Sequence, residues 1–152
     1  MLRLTGFEFV VRVIPEAFVL IFAMAVLSNT KLKINRYIIS SLLFGVYVYI
    51  VRMLPINYGV HTILDLVVMI SIMSIINKAD IILAIKSSLI TTIVLLICEG
   101  INMLLLSFIF KDRLEVIFTN TILKTIYGFP SLICFAIINI IYYFRKRDVK
   151  YV

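Results

Sequence analysis

The sequence predicts an all-α membrane protein, a polytopic helix bundle, and two observations carry that prediction. First, 63% of the 152 residues are hydrophobic, well above the roughly 45–50% usual in soluble globular chains. Second, the apolar residues form long continuous runs instead of alternating with polar ones. Because lipid offers the backbone no hydrogen bonds, such runs are expected to be helices that satisfy their own peptide groups.

Five apolar runs are predicted to be transmembrane helices of a single transmembrane domain covering residues 1–152. A span needs about 20 residues. The second run is shorter than this, and it reaches the required length if the charged end of Arg52 extends toward water. The predicted helices cover residues 7–27, 37–54, 60–77, 87–110 and 125–144, and an amphipathic connector covers 114–124.

The first apolar run has two interpretations. A cleavable signal peptide is one, because Ala23-Met24-Ala25 resembles a cleavage site. A retained helix is preferred, because Arg12 and Glu16 leave only a short apolar region before these alanines. Pro15 suits a first helical turn. Glu8, Arg12 and Glu16 recur every four residues, which predicts one helix face of alternating charge.

The stretch from Arg52 to Asp65 is the most chemically varied part of the chain. It contains the single histidine and lies between two apolar runs. Pro55 to Gly59 predicts a turn, since proline cannot continue a helix and glycine accepts unusual backbone angles. His61 and Asp65 are four apart on the third helix, so the carboxylate can accept a hydrogen bond from the imidazole. This stretch is therefore the best candidate for a site.

Small and polar residues predict where helices approach one another. Ser41 and Gly45 are four apart, a spacing that lets two membrane helices pack closely. The segment 81–86 is predicted to be either a turn at the membrane surface or the entry to the fourth helix. On that helix Ser88, Thr92, Glu99 and Asn102 form one polar stripe, with Glu99 near its middle.

The basic residues predict an orientation with the N-terminus outside and the C-terminus inside. An odd number of spans places the termini on opposite sides, and Lys and Arg accumulate on the cytoplasmic side. With this orientation nine of the 15 basic residues lie inside: Lys31, Lys33, Arg36, Lys78, Lys86, Arg145, Lys146, Arg147 and Lys150.

In that orientation seven polar side chains fall in the outer half of the bilayer or at its edge, where they can share one ligand-binding cavity. They are Arg12, Glu16, Arg52, His61, Asp65, Glu99 and Asn102. A charge at membrane depth costs at least about 2.5–3.5 kcal/mol, so such groups pair or face water. The predicted pairs are Arg12 with Glu16, and Arg52 with Asp65 or Glu99. The alternative is that these pairs only hold the bundle together.

Several function classes are not predicted. The chain has no Gly-rich phosphate loop, no HExxH and no G-x-S-x-G, so we expect no enzyme, cofactor or metal site. Cys98 and Cys134 are interpreted as small buried hydrophobic residues. A cysteine peptidase using His61 and Cys98 is disfavoured, because these two residues lie on different helices. The net charge of +7 comes from residues at the ends of apolar runs, which does not indicate nucleic-acid binding.

Three segments carry a resemblance: Ile-Pro-Glu-Ala-Phe at 14–18, the stretch 49–64, and Ile-Cys-Glu-Gly-Ile-Asn at 97–102. In them the chain resembles small multi-pass membrane proteins of clostridial type. Those proteins are similar in hydropathy to the membrane sensor regions of accessory-gene-regulator quorum-sensing histidine kinases. The resemblance implies a bacterial cell membrane and peptide sensing. We expect no ATP-binding or dimerisation part, because the sequence stops shortly after the last helix.

These observations support three functional hypotheses. The leading one is a receptor-like or regulatory membrane module that binds an outside ligand in an outward-facing polar cavity. It would signal as a homo-oligomer or through a membrane partner such as a sensor kinase. The alternative is a small transporter or channel subunit in which Glu99, Asp65 and His61 relay an ion or proton. The third is a role in assembly or as a chaperone alone.

Overall fold

The fold is entirely helical in the residues that the computed structural model describes, which are 9–31, 33–54, 58–110 and 121–149. No strand occurs in these ranges, and the predicted all-α class is confirmed. The chain forms two compact units, residues 1–92 and residues 93–152. In order, the helices are a π-helical segment Phe9–Val13, α1 Ile14–Leu27, α2 Ile34–Met53, α3 Tyr58–Ile75, α4 Ile81–Ile109 and α5 Thr121–Val149.

Four helical stretches of the described residues are long and apolar enough to cross a membrane: Phe9–Leu27, Ile34–Met53, Ile81–Ile109 and Thr125–Lys146. The chain is therefore a membrane-embedded protein. Helix α3 is apolar but shorter; its 18 residues extend about 27 Å at 1.5 Å per residue. That length is near the thickness of the hydrocarbon core, about 30 Å. A fifth span and the direction of the chain across the bilayer remain predictions.

Helix α4 begins earlier than the predicted residue 87 because Asp80 caps it. The Asp80 carboxylate accepts a hydrogen bond from the Ile82 backbone N–H at 2.9 Å, and its carbonyl accepts one from Ala84 N–H at 2.8 Å. Such a cap satisfies donors that a helix N-terminus otherwise leaves unpaired. The segment 81–86 is thus the entry to the fourth helix, one of the two predicted possibilities.

Helix α5 is longer than predicted at both ends, from Thr121 to Val149 instead of 125–144. Residues 121–124, predicted to end the amphipathic connector, belong to its first turn. The rest of that connector lies outside the described residues, as does the core of the predicted turn at 55–57. Pro130 lies inside α5, where it removes one backbone donor from the helical ladder.

A π-helical segment, Phe9–Val13, leads directly into α1. Pro15 is one of the first two residues of α1. As a proline it has no N–H to donate, and its ring disfavours a regular helical turn that would bring it against the carbonyl of Val11. π-helical turns are rare and occur mostly as single turns adjoining or within α-helices. The consequence is a change of register immediately before Glu16.

Helix α1 forms the centre of the first unit, where it packs against α2 and α3. Ile21, Ala23 and Met24 are completely buried. A Cβ placed on Gly45 of α2 would lie 3.6 Å from the Ala17 Cβ of α1. Ser41, one turn before Gly45, is also buried. The small-residue spacing on α2 therefore marks a close helix contact, as expected.

Buried polar groups connect the chain just after α3 to the early part of α2. The Asn77 side-chain amide donates to Ser40 Oγ at 2.9 Å and approaches Met73 Sδ at 3.5 Å. The chain leaves α3 through Lys78 with φ of 55°, a left-handed conformation common at helix ends. Ala79 N–H then donates to the Met73 carbonyl at 3.0 Å. These contacts fix the end of α3 next to the early part of α2.

Candidate functional site

Four of the seven predicted site residues lie together in the first unit, and we name them the polar cluster: Glu16, Arg52, His61 and Asp65. Glu16 is in the first turn of α1 and Arg52 is in the last turn of α2. His61 and Asp65 occupy the early part of α3. Consecutive helices with short links run antiparallel, so the start of α1, the end of α2 and the start of α3 meet.

The ion pair of this cluster joins Arg52 to Glu16. Their Nη2 and Oε1 atoms are 3.7 Å apart, and the side chains are 34% and 11% exposed, respectively. The distance exceeds the usual hydrogen-bond range of about 2.7–3.2 Å, so the contact is electrostatic. The sequence predicted Asp65 or Glu99 as the partner of Arg52. Glu16 takes the direct contact, while Asp65 remains within electrostatic range of Arg52.

Asp65 lies within electrostatic range of the other three members of the polar cluster, Arg52, Glu16 and His61. The cluster thus combines two carboxylates, one imidazole and one guanidinium. Among the four side chains the carboxylates outnumber the guanidinium, so the cluster is suited to a ligand that carries hydrogen-bond donors.

Two buried atoms of the polar cluster have no hydrogen-bond partner among the described residues: His61 Nδ1 and Asp65 Oδ1. The predicted hydrogen bond between these side chains therefore does not form through those two atoms. A buried polar atom without a partner costs about 1–3 kcal/mol. Residues 61 and 65 are one helical turn apart, so both atoms can accept hydrogen bonds from the same ligand group.

Tyr47 of α2 is a neighbour of the polar cluster that sequence reasoning did not identify. It is half-buried and interacts electrostatically with Asp65. Its ring stacks with Phe44 at a centroid distance of 6.3 Å. Its sequence signal is weak, because a tyrosine in an apolar run most often fills space and presents its hydroxyl at a surface.

Arg12 lies in the π-helical segment, half-buried, and is itself engaged in an interaction. The prediction that it pairs with Glu16 assumed four-residue α-helical spacing. A π turn adds a residue to the turn, so four-residue spacing does not by itself align the two side chains. The Arg12–Glu16 pair stays a prediction, and Glu8, the third member of the predicted charge ladder, lies outside the described residues.

Glu99 and Asn102 belong to the second unit, on α4. The Asn102 side-chain amide donates to the Tyr127 carbonyl of α5 at 2.8 Å. This bond gives Asn102 a part in joining two helices. Glu99 is half-buried and takes part in an interaction of its own. The shared cavity predicted for all seven residues stays a prediction.

The polar cluster offers hydrogen-bond acceptors and charge. Among the described residues no group of three His, Cys, Asp or Glu side chains could hold a metal ion. No protein-family model, curated protein or solved structure matches the chain. The chemistry of the polar cluster is therefore the basis for a functional proposal.

Proposed function

We propose that this protein is a receptor-like or regulatory membrane module that binds a polar ligand at the polar cluster. The observation that carries the proposal is the pair of buried, unpartnered atoms, His61 Nδ1 and Asp65 Oδ1, beside the Glu16–Arg52 ion pair. Groups of this kind are costly at membrane depth unless they pair or meet water. A ligand that donates hydrogen bonds would offset that cost.

The chemistry of the polar cluster favours a ligand with an ammonium, guanidinium or amide N–H group. Asp65 Oδ1 accepts hydrogen bonds when ionised, and His61 Nδ1 accepts one in the tautomer that carries its proton on Nε2. The Glu16–Arg52 pair can orient a second polar group of the same ligand. A peptide supplies such groups, in agreement with the peptide sensing implied by the resemblance of the sequence.

The proposal includes an orientation and a partner. The distribution of basic residues, nine of 15 on one side, favours an N-outside arrangement in the cell membrane of a bacterium. The polar cluster then opens outward. Ligand binding would be signalled through contact with a second copy of the chain or with a membrane partner such as a sensor kinase. Crosslinking in membranes tests the partner. Recovery of this chain alone, with no copy or other protein attached, would contradict it.

Labelling from outside the cell tests the outward-facing site. In a chain carrying Cys98→Ser and Cys134→Ser, we expect His61→Cys to react with a membrane-impermeant maleimide on intact cells. A thiol in a water-filled site forms the reactive thiolate, so its labelling should be on the order of tenfold faster than that of a thiol facing lipid. A short amidated peptide rich in lysine should slow the labelling.

The matched control for this experiment is Ile63→Cys, on the same helix, where the side chain is 63% exposed on the apolar surface. Its thiol should be labelled on the order of tenfold more slowly on intact cells, because hydrocarbon suppresses thiolate formation. Labelling of His61→Cys only after the membrane is opened would place the polar cluster on the cytoplasmic side. The outside-ligand proposal would then be wrong.

An ion or proton relay is the second candidate function. It is favoured by the same two atoms, because His61 and Asp65 lie one turn apart and an imidazole with a carboxylate is the kind of pair that proton relays in membranes use. If the relay operates, Asp65→Asn should remove most of the proton or cation flux of proteoliposomes containing the purified chain. Asp80→Asn, an exposed cap, is the matched control. Flux that survives Asp65→Asn unchanged would exclude the relay.

A further inference from the structure

Five basic residues gather at one end of the first unit, and we name them the basic face. They are Lys31, Lys33, Arg36, Lys78 and Lys86. The first three lie in the link between α1 and α2 or in the first turn of α2, and the last two lie on either side of the start of α4. A hydrogen bond of 2.9 Å between the Asn77 amide and Ser40 Oγ joins these two regions. The fold therefore places both links at the same end of the unit.

The positive charge of the basic face is not neutralised within the first unit. Among the described residues none of its five side chains forms an ion pair. Four of them are exposed and Arg36 is half-buried. Asp80, the acidic residue between α3 and α4, uses its carboxylate to cap α4. Neighbouring helices pack about 8–10 Å apart, close to the Debye length of about 8 Å at physiological salt, so the five charges attract anions together.

Helix capping does not account for the basic face. Helix α2 starts at Lys33 with no side-chain cap and no acidic residue in its first turn. Arg36 lies in that turn, where a cation is unfavourable because it opposes the helix dipole. At the end of α1 the backbone already satisfies a free carbonyl, since Thr30 N–H donates to Ala25 at 3.0 Å. The charges of the basic face are thus available to a partner outside the chain.

Exposed isoleucines border the basic face. Ile34 follows Lys33 directly, and Ile75 and Ile81 lie three residues before and after Lys78; the three are between 61% and 76% exposed. Helices α1, α2 and α4 are able to cross a membrane, so their ends lie where hydrocarbon meets the headgroups. A molecule that contacts both the isoleucines and the cations has an apolar part and an anionic part, which is the chemistry of an anionic phospholipid.

We propose that the basic face binds the phosphate headgroups of anionic phospholipids, with their acyl chains against the bordering isoleucines. Long basic side chains can lie along apolar surface while their charged ends reach the phosphates. The polar cluster lies at the opposite end of the same helices, so this site is independent of the ligand proposed there. In the proposed N-outside orientation the lipid belongs to the inner leaflet, whose anionic lipids attract basic segments.

Spin-labelled lipids measure this binding in vesicles. The full chain is reconstituted into phosphatidylcholine with a small amount of spin-labelled phosphatidylglycerol or of spin-labelled phosphatidylcholine with the same acyl chains. The motion-restricted fraction of each label gives its relative affinity. We expect the wild type to prefer phosphatidylglycerol by about fivefold or more, since one basic residue near the surface contributes about that factor. Sodium chloride at about 1 M should remove the preference, because the Debye length falls to about 3 Å.

Two double variants, each lacking two positive charges, separate the basic face from the net charge of the chain. Lys33→Gln with Lys78→Gln should remove most of the preference. Arg145→Gln with Lys146→Gln, near the end of α5 in the second unit, is the matched control and should keep most of it. Lys33→Arg with Lys78→Arg should bind like the wild type because the charges are retained. Helical circular dichroism in the same vesicles checks that each variant is folded.

Three results would overturn the proposal. The first is equal affinity of the wild type for the two labelled lipids. The second is an equal loss in the two charge-removing variants, which would assign the preference to net charge alone. The third is loss of the preference when inorganic phosphate replaces chloride at constant ionic strength, which would assign the basic face to a soluble anion. The first and third use the wild type, so they decide the question even if a variant fails to insert.

Discussion

Replacing Arg52 with methionine is expected to lower the free energy of unfolding by about 2–4 kcal/mol. Removal of one partner from a fully buried ion pair costs roughly 3–5 kcal/mol, because the other charge stays buried without compensation. Arg52 is about one-third exposed, whereas Glu16 is only 11% exposed, so the cost should fall somewhat below that range. Asp65 loses the same neighbouring positive charge, which adds to the penalty.

The measurement is the loss of helical circular dichroism in mixed micelles as dodecyl sulfate increases. Tryptophan fluorescence cannot serve, since the chain has no tryptophan. The double variant Glu16→Gln with Arg52→Met should recover part of the loss, giving a coupling energy of about 0.5–3 kcal/mol. Arg36→Met, at the start of the same helix, is the matched control and should change stability by less than about 0.5 kcal/mol.

Strict additivity of the Glu16 and Arg52 substitutions would contradict a direct ion pair. So would an Arg52→Met variant as stable as the wild type. A third variant, Arg52→Lys, separates charge from shape: it keeps the positive charge but has a single ammonium in place of the planar guanidinium. It should retain most of the stability if the contact is electrostatic, as the 3.7 Å separation implies.

The second large effect is expected at Gly45, where two substitutions should have opposite signs. The Cβ of Gly45→Ala would meet the Ala17 Cβ at 3.6 Å, an ordinary contact distance. Alanine also favours the helix over glycine by about 0.8–1.0 kcal/mol, so this variant should be as stable as the wild type or more so. Gly45→Leu adds three further carbons toward Ala17, which is 1% exposed. It should destabilise by about 1–3 kcal/mol or more.

The same dodecyl sulfate titration compares these variants with Gly100→Leu, the matched control. A Cβ at Gly100 would meet no atom of the described residues within 4 Å, so leucine should be tolerated there. If Gly45→Leu proved as stable as the wild type, helices α1 and α2 could not be in close contact through this residue. If Gly45→Ala were strongly destabilising, the approach would be closer than described.

Local signals explain why much of the fold was predictable. Continuous apolar runs identified the helices, and the polar break at 77–80 ended one helix and began the next. Ser41 and Gly45 marked a close contact because a backbone can approach only where side chains are small. The helix starting at Ile81 was one of two open possibilities, and the Asp80 cap decided between them.

The partners inside the candidate site were harder to predict, and the helices themselves give the reason. They are apolar around most of their circumference, so hydrophobic periodicity does not show which face is buried. The sequence could place Arg52, Asp65 and Glu16 at similar depth, but not their rotation about the helix axes. The π turn before Glu16 changed that rotation further, and no sequence motif predicts such a turn.

Composition and charge are enough to predict a membrane-embedded all-helical chain with charged residues near the stretch Arg52 to Asp65. Composition and hydrogen bonding within each helix are enough for that result. The contact of Arg52 with Glu16 and that of Asn77 with Ser40 are seen only in the folded chain. Such contacts join residues more than 30 positions apart, and they depend on how whole helices rotate and slide against each other, which no local pattern records.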